Sequence, residues 1–386
     1  MLFTTFVLKN LLRRPVRTAL TVLGLAVAVG TMIALPGISH NIDAAVLQSL
    51  NERGVDLVVM SAGKTDQLAS EMDEGVAARA ADIPGVTAVS TALVELVEMT
   101  RDSGASINVL VHGWTPDNFV FDDLKITRGR PLTADDRGKV LLGAKLADEN
   151  LGKGVGDTVV VLGEPFEVIG IFESRYVHED GSVGMPLKEA QRLVSRPGKI
   201  TGFSVRIDKS AGDPAASVEA VRERLLALTD DRGRPTKLSA KAAPEYVSSV
   251  SHLKVLRAVA WIVSAIGILI GVISMLNTMI MSVLERTQEI GILRAIGWPR
   301  SRVFRMILTE AVLISLAAAA LGAVAATTTT YLLTLSPKVN GFIAGGIAWS
   351  VILKGTTLSV LIALVGGAYP AVRAGRLLPT EAIRHE

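Results

Sequence analysis

Side chains able to do acid–base, metal or nucleophilic chemistry are few and scattered in this chain of 386 residues. Its histidines are His40, His112, His178, His252 and His385, and none pairs at the H-E-x-x-H spacing that sets two imidazoles on one helix face around a zinc ion. His178, Glu179 and Asp180 stand in a row beside Gly181 and read as a solvated loop. Cysteine is absent, which removes thiol chemistry and thiolate metal sites. Gly63-Lys64-Thr65 matches the end of a phosphate-binding loop, but that motif needs a glycine at position 58, where Val58 stands. "LGKGVGDT" at 151–158 fails the same test. No catalytic, cofactor-binding or metal-binding residue is therefore assigned, and this chain is not expected to hydrolyse ATP itself.

The charged side chains concentrate elsewhere. Residues 285–311, "ERTQEIGILRAIGWPRSRVFRMILTEA", carry five arginines between two of the most apolar segments of the chain. A folded protein places such a run in water, so the flanking elements decide its role.

Those elements are long. The composition is 49% hydrophobic with mean hydropathy +0.42. Thr18–Ile42, Ala258–Leu284, Ala311–Pro337 and Gly355–Val372 contain no Asp, Glu, Lys or Arg. A helix needs about 20 apolar residues to cross a bilayer core. The first three stretches exceed that length, and the fourth reaches it if the helix starts near Ile347 or Lys354 snorkels. The first is longer than the 7–15-residue core of a signal peptide, so a retained helix is expected. Basic residues flank one set of ends: Lys9, Arg13, Arg14 and Arg17, then the arginines of 286–305, then Arg373, Arg376 and Arg384. The positive-inside rule then gives four membrane helices with both termini cytoplasmic.

This topology exports the segment from Asp43 to about Leu253. Asp43–Val250 has a net charge of −8 and the rest of the chain +11. The pI near 9.1 thus reflects a basic skirt beside anionic lipid, joined to a mildly acidic outer domain. No basic–aromatic stripe or RNA-binding motif supports a nucleic-acid partner. Strand character at 56–60, 86–99, 105–113, 139–143, 157–163, 166–174 and 202–208 alternates with helical patterns at 70–82, 144–151, 187–195 and 214–228. The reading is α+β layers in two subdomains, one from 43–120 plus about 200–250 and one from about 121–199. An exported domain without disulfides relies on its own core, which some 210 residues can supply.

Two stretches carry a family resemblance. Glu285, Arg286, Glu289, Ile290, Gly291, Ile292, Arg294, Ala295 and Gly297 fit E-R-x-x-E-I-G-[IL]-x-[RK]-A-x-G. Pro370, Ala371, Ala374, Pro379, Glu381, Ala382, Arg384 and Glu386 fit P-A-x-x-A-x-x-x-x-P-x-E-A-[IL]-R-x-E. Both resemble the FtsX/MacB-like permeases, the type VII or mechanotransmission group of ABC transporters. "LKNLLRRPVRTALTVLGLAVAVG" resembles the group's amphipathic lead-in and first helix, and 128–174 a recurring part of its outer domain.

The resemblance implies a membrane protein of four transmembrane α-helices with a large α+β extracytoplasmic domain between helices 1 and 2. The expected divisions are a lead-in and helix 1 at 1–42, the outer domain at 43–253, helix 2 at 254–284 and a stalk end with coupling helix at 285–306. Helix 3 follows at 307–337, a short outer loop at 338–346, helix 4 at 347–372 and a tail at 373–386. It also implies a bacterial inner-membrane location and a non-catalytic permease subunit working with a separate, dimeric cytoplasmic ABC ATPase that binds the ATP and magnesium. Export or extraction of a lipid or lipoprotein, a peptide or a small toxic molecule would follow, with a membrane-fusion adaptor or other outer partner possible. The alternative is a regulator that moves an outer partner such as a cell-wall hydrolase without cargo.

Helix 2 is expected to continue through Glu285–Ala295 as a stalk, end at Gly297, and give way to a new helix begun by Pro299. On that helix Val303, Met306 and Ile307 form an apolar side, and Arg300, Arg302 and Arg305 a polar one. The resemblance makes it the coupling helix docked on the ATPase. The residues assigned to coupling are Glu285, Arg286, Glu289, Gly291, Arg294, Gly297, Pro299, Arg300, Arg302, Val303, Arg305 and Met306. Gly267 and Gly271 have GxxxG spacing in helix 2, which is read as the contact between two copies in a homodimer or close heterodimer, and Asn277 is placed at that contact, the alternative being a local bond within its own bundle.

Overall fold

The computed structural model describes residues 15–64, 67–101, 104, 106–115, 117–174, 177–210, 213–229, 233–334 and 346–377, with the side chains of 177, 178, 252 and 334 excepted. The lead-in at 1–14 and the motif residues Pro379, Glu381, Ala382, Arg384 and Glu386 lie outside them, as does most of the loop expected at 338–346. The chain forms two compact units, residues 43–254 and the remainder.

The second unit, residues 43–254, is α+β. Its strands are β1 (Leu57–Ser61), β2 (Met72–Asp73), β3 (Val86–Thr100), β4 (Ser106–Trp114), β5 (Lys125–Gly129), β6 (Lys139–Gly143), β7 (Thr158–Val161), β8 (Glu164–Glu173), β9 (Val183–Pro186), β10 (Lys199–Ile200), β11 (Gly202–Ile207) and β12 (Leu238–Ala242). The main sheet runs β12-β1-β11-β3-β4-β9-β6-β8-β5, with β7 joined to β3 and β8. β1 reads as a continuous apolar run because it lies between β11 and β12 with both faces covered. β3 is the shared element. Its first half pairs with β11 (Ser90 opposite Ser204) and its second half with β4 (Leu96 opposite Leu110). The two expected subdomains are hydrogen-bonded to each other where β4 runs parallel to β9, with Val111 opposite Val183 and Trp114 opposite Pro186. Leu57, Val59, Leu93, Val97, Phe166, Ile171, Met185 and Phe203 contribute to one buried core beneath both halves.

Local chemistry sets the connections. β7 and β8 form a hairpin whose turn residues Leu162 and Gly163 have φ of 50° and 83°, the two left-handed positions of the hairpin turn that matches strand twist. The helical pattern at 144–151 is a π-helix, Leu146–Leu151, ending on Gly152. The pattern at 70–82 divides into β2 and helix α2 (Glu74–Ala81). Helices α3 (Val177–Asp180) and α4 (Leu187–Leu193) follow β8 and β9, and α5 (Pro214–Leu226) starts on Asp213, which accepts a hydrogen bond from the Ala215 amide. Helix α6 (Ala243–Ser249) follows β12.

The first unit is helical. Helix α1 (Pro15–Glu52) runs ten residues past the expected end of helix 1 and passes into the second unit. Helix α7 (Ser251–Glu285), short helix α8 (Thr287–Ala295), helix α9 (Arg300–Thr334) and helix α10 (Trp349–Arg376) complete it. Among the described residues, α1, α7, α9 and α10 are long and apolar enough to span a membrane. Small residues bring them together. A Cβ on Gly322 of α9 would fall 2.8 Å from the Ala26 carbonyl oxygen of α1, and one on Gly366 of α10 would fall 2.9 Å from the Val272 carbonyl oxygen of α7. Leu25, Val29, Ile33, Met275, Met279, Ile314 and Ile362 fill the space between. Trp261, Ile262, Leu269, Val324 and Leu353 point outward, as a surface in lipid requires.

Two expectations about the junction are corrected. Helix 2 does not continue as a stalk, because Arg286 takes φ −118° and ψ 18° and breaks it from α8. The stretch at 300–306 is no separate short helix either, since α9 runs from Arg300 to Thr334 without a break at 306–307.

Candidate functional site

The turn from Glu285 to Arg305 is built from its own hydrogen bonds. Thr287 Oγ1 donates to the last carbonyls of α7, Val283 (3.1 Å) and Leu284 (2.9 Å). α8 then ends in a Schellman motif. The Trp298 amide reaches the Leu293 carbonyl at 3.1 Å and the Gly297 amide the Arg294 carbonyl at 3.1 Å, while Gly297 supplies the φ of 101° the motif demands. Arg294 Nη1 donates to the Trp298 carbonyl at 2.9 Å, and the Arg302 guanidinium lies 4.4 Å from the centre of the Trp298 ring. The Pro299 carbonyl accepts from the Arg302 and Val303 amides, opening α9.

Ion pairs fasten this turn to the bundle. Glu285 pairs with Arg17 of α1. Arg286 donates from Nε to Glu289 and from Nη1 to Glu310 of α9, each at 3.2 Å. Glu310 is 6% exposed and also accepts from Ser282 Oγ at 3.4 Å. Ile290 and Gly291 are buried against the bundle. Glu285, Arg286 and Gly291 thus hold the turn in place within the chain.

The side of α9 expected to dock on a partner is not available. Val303 and Met306 are fully buried and Ile307 nearly so, all in the helical unit's own core. The hydrophobic effect has already used that face inside the chain. The outward surface is a different one: Glu289, Ile292 (46% exposed), Ile296 (74% exposed), Gly297, Pro299, Arg300, Arg302 and Arg305. It combines exposed isoleucines with three arginines, which suits an acidic partner with an apolar cleft.

The glycines of α7 are corrected likewise. A Cβ on Gly267 would meet Met32 of α1 at 3.5 Å, and one on Gly271 would meet Leu25 of α1 and Ile362 of α10 at 3.3 Å. Their spacing serves packing within one chain. Asn277 faces outward on α7, on the side that exposes Ile266, Ile270, Ile273, Met281 and Leu284.

In the second unit the run at 178–180 is not a solvated loop. Glu179 and Asp180 are buried, and Glu179 receives both terminal nitrogens of Arg53, at 2.7 and 2.8 Å. Arg53 Nε also donates to Asp123 at 3.0 Å. Burial acts against the Arg53 charge, but the bonds and charges of Glu179 and Asp123 more than offset it and raise its pKa. Burial pushes the Asp180 carboxyl up. A cavity of about 160 Å³ adjoins the pair, lined among others by Ser49, Arg53, His112, Phe121, Glu179 and Tyr246. No group of three metal-ligating side chains occurs among the described residues.

The MacB-like periplasmic core domain model matches residues 18–228, and the FtsX-like permease C-terminal model matches residues 261–379. The chain belongs to the FtsX/MacB-like family of ABC-transporter permeases. It is 25% identical to the uncharacterized ABC transporter permease YknZ of Bacillus subtilis, over 98% of both chains. It is 26% identical to the macrolide export ATP-binding/permease protein MacB of Escherichia coli, over 98% of this chain and 60% of that one. The chain thus spans only about three-fifths of that MacB relative. The solved extracellular domain of YknZ from Gram-positive bacteria aligns at 16% identity and a TM-score of 0.39, covering 48% of this chain and 98% of that one.

The permease is a multi-pass membrane protein with an α+β extracytoplasmic domain between its first two membrane helices. FtsX/MacB-like permeases work with a cytoplasmic ABC ATPase. Sequence reasoning missed Glu310, Arg17 and Arg53 as partners in the permease's ion pairs. A signal existed for Glu310, the one acidic residue of α9, at the rim of an apolar run. None existed for Arg53, whose partners lie 70 and 126 residues away.

Proposed function

We propose that this permease couples ATP hydrolysis by an ABC ATPase on a separate chain to movement of its extracytoplasmic domain. The movement would drive export or extraction of a lipid or lipoprotein, a peptide or a small toxic molecule across or out of a bacterial inner membrane. Both termini and the 285–305 turn are cytoplasmic in this reading, supported by the arginines at 286–305. ATP and magnesium bind to the ATPase and not to this chain. Two copies, identical or closely related, sit on the ATPase dimer. Their contact uses the outward face of α7 around Asn277, since Gly267 and Gly271 are occupied within the chain. A membrane-fusion adaptor or another extracytoplasmic partner acts on the outer domain.

The observation that carries the reading is the outward surface of the turn. Ile292 and Ile296 are both exposed there together with Arg300, Arg302 and Arg305, a combination of apolar and arginine side chains that partner contacts favour. The export names of the MacB relatives support cargo movement over regulation alone. The test is reconstitution of the permease with its ATPase in bilayer discs. Wild type should stimulate hydrolysis, and I292E/I296E should abolish stimulation while the purified protein keeps its melting temperature. Normal stimulation by that variant would remove the turn from the contact.

A further inference from the structure

Glu310 is buried in a membrane helix, and the coupling surface described above does not include it. Glu285 and Glu310 are the only acidic residues in α7, α9 and α10 together. A carboxylate is expensive to bury in such a unit and persists where it is paired. Its partner Arg286 is the residue at which the helix breaks between α7 and α8. Arg286 makes a backbone hydrogen bond on each side of the break. The Arg286 amide reaches Val283 at 3.2 Å, and the Arg286 carbonyl accepts from Ile290 at 2.9 Å. These bonds, with those of Thr287 Oγ1 to Val283 and Leu284, close the corner without the Arg286 side chain. Arg286 nevertheless sends its guanidinium into the bundle, 13% exposed, to a helix it adjoins neither in sequence nor by backbone hydrogen bonds. Its neighbour Glu285 pairs with α1. One corner is thus tied through adjacent side chains to two different membrane helices.

A push on α8 then has two outcomes. Either the corner carries α9 with it, or the Arg286–Glu310 pair parts and leaves the buried Glu310 carboxylate without its counter-charge. We propose that Glu310 is a positioning residue for energy coupling, which through Arg286 makes the α7–α8 corner and α9 move as one piece. The inference rests on the coupling reading above and names the residue that passes the movement inward. Ser282, bonded to the other Glu310 oxygen, keeps the carboxylate aimed at the corner. The exposed Glu289 takes the remaining reach of Arg286 and is the weaker tie, being half in water.

The experiment uses the full chain in bilayer discs, and its lack of cysteine makes labelling clean. Spin labels go on Q288C in α8 and A317C in α9, both exposed positions. The unsubstituted pair should give one narrow distance distribution. E310Q and R286Q should each broaden it at least twofold, and R286Q/E310Q should broaden it no more than either single change, because the two side chains act as a unit. Removing both charges together also avoids a buried unpaired one, so the double variant folds even where a single one does not. In the same discs, stimulation of the ATPase should drop at least fivefold in all three. A narrow distribution in E310Q overturns the proposal. So does wild-type stimulation despite broadening, since Glu310 would then only stabilise the bundle. Additive losses in the double variant overturn the linkage through Arg286. If the unsubstituted permease stimulates no ATPase at all, the coupling reading itself fails, a result separate from any effect of the Glu310 variants.

Discussion

Replacing Arg53 by methionine should open the extracytoplasmic domain in a way that depends on pH. The guanidinium makes two bonds to Glu179, at 2.7 and 2.8 Å, and the side chains of the pair are 5% and 7% exposed. R53M leaves the Glu179 carboxylate without its buried counter-charge, a loss of about 3–5 kcal/mol for pairs of this kind. Protonation limits the loss. Neutralising an ordinary glutamate, with a pKa of about 4.3, costs about 1.36 kcal/mol for each pH unit above that value, or about 3.7 kcal/mol at pH 7 and about 1 kcal/mol at pH 5. In the variant the buried carboxyl is favoured neutral, so the sign is that of a raised group: stability is retained at low pH and lost as pH rises. Asp123, 29% exposed, stays hydrated and adds little. A domain of this size loses about 2–4 °C per kcal/mol, so the melting temperature should fall by about 8–15 °C at pH 7 and by only a few degrees at pH 5. The assay is thiol labelling during heating, with A190C as reporter, because Ala190 is fully buried in the domain core. R53M/E179L should recover most of the loss, since an apolar replacement leaves no unpaired charge. A loss that is the same at pH 5 and pH 7, or that the double variant fails to recover, would refute this account of the pair.

V303A/M306A should destabilise the helical unit by several kcal/mol, because each change deletes buried methylenes, whereas R302E/R305E should leave its melting temperature unchanged; detergent melts of both variants decide. Asp136 accepts from both terminal nitrogens of Arg130, at 2.8 and 2.6 Å, and from the amide and hydroxyl of Thr133, which hold its carboxyl well below the usual range. The stability it supplies is present above the ordinary carboxylate pKa and lost as pH falls through its own, so D136N should lower the domain's melting temperature at pH 7 and have less effect in strong acid. S210C should react with an impermeant thiol reagent from outside intact cells and S301C should not, since both positions are exposed and the two lie on opposite sides of the membrane in the proposed topology. Gly322→Leu should disrupt the helical unit, because a side chain there meets the α1 backbone within 2.8 Å.

Hydropathy made the four membrane helices legible because uncharged runs of this length have few other uses. β-branched runs made most strands of the extracytoplasmic domain legible, and the two cytoplasmic-type motifs made the family legible. The candidate site was legible only in its location. An apolar stripe at 303, 306 and 307 says that a helix face is covered, but not by what, and here the cover is the permease's own core. The GxxxG at 267–271 fails for the same reason, since close approach between helices of one chain and of two chains asks for the same small residues. Helix continuity through 285–295 is favoured by local propensity, and the ion pairs that tie the corner at Arg286 to α1 and α9 join residues far apart in the sequence. The acidic run at 178–180 read as solvated because its counter-charge, Arg53, stands far upstream in the sequence.

The most direct test of the coupling account is a photo-crosslinking amino acid placed at Ile296, the most exposed apolar residue of the turn. In cells expressing the permease with its candidate ATPase, the account predicts a crosslinked product that mass spectrometry identifies as that ATPase, with none formed from the same probe at Ser210. Adducts at Ile296 with lipid only, or an ATPase adduct at Ser210 and not at Ile296, would contradict it.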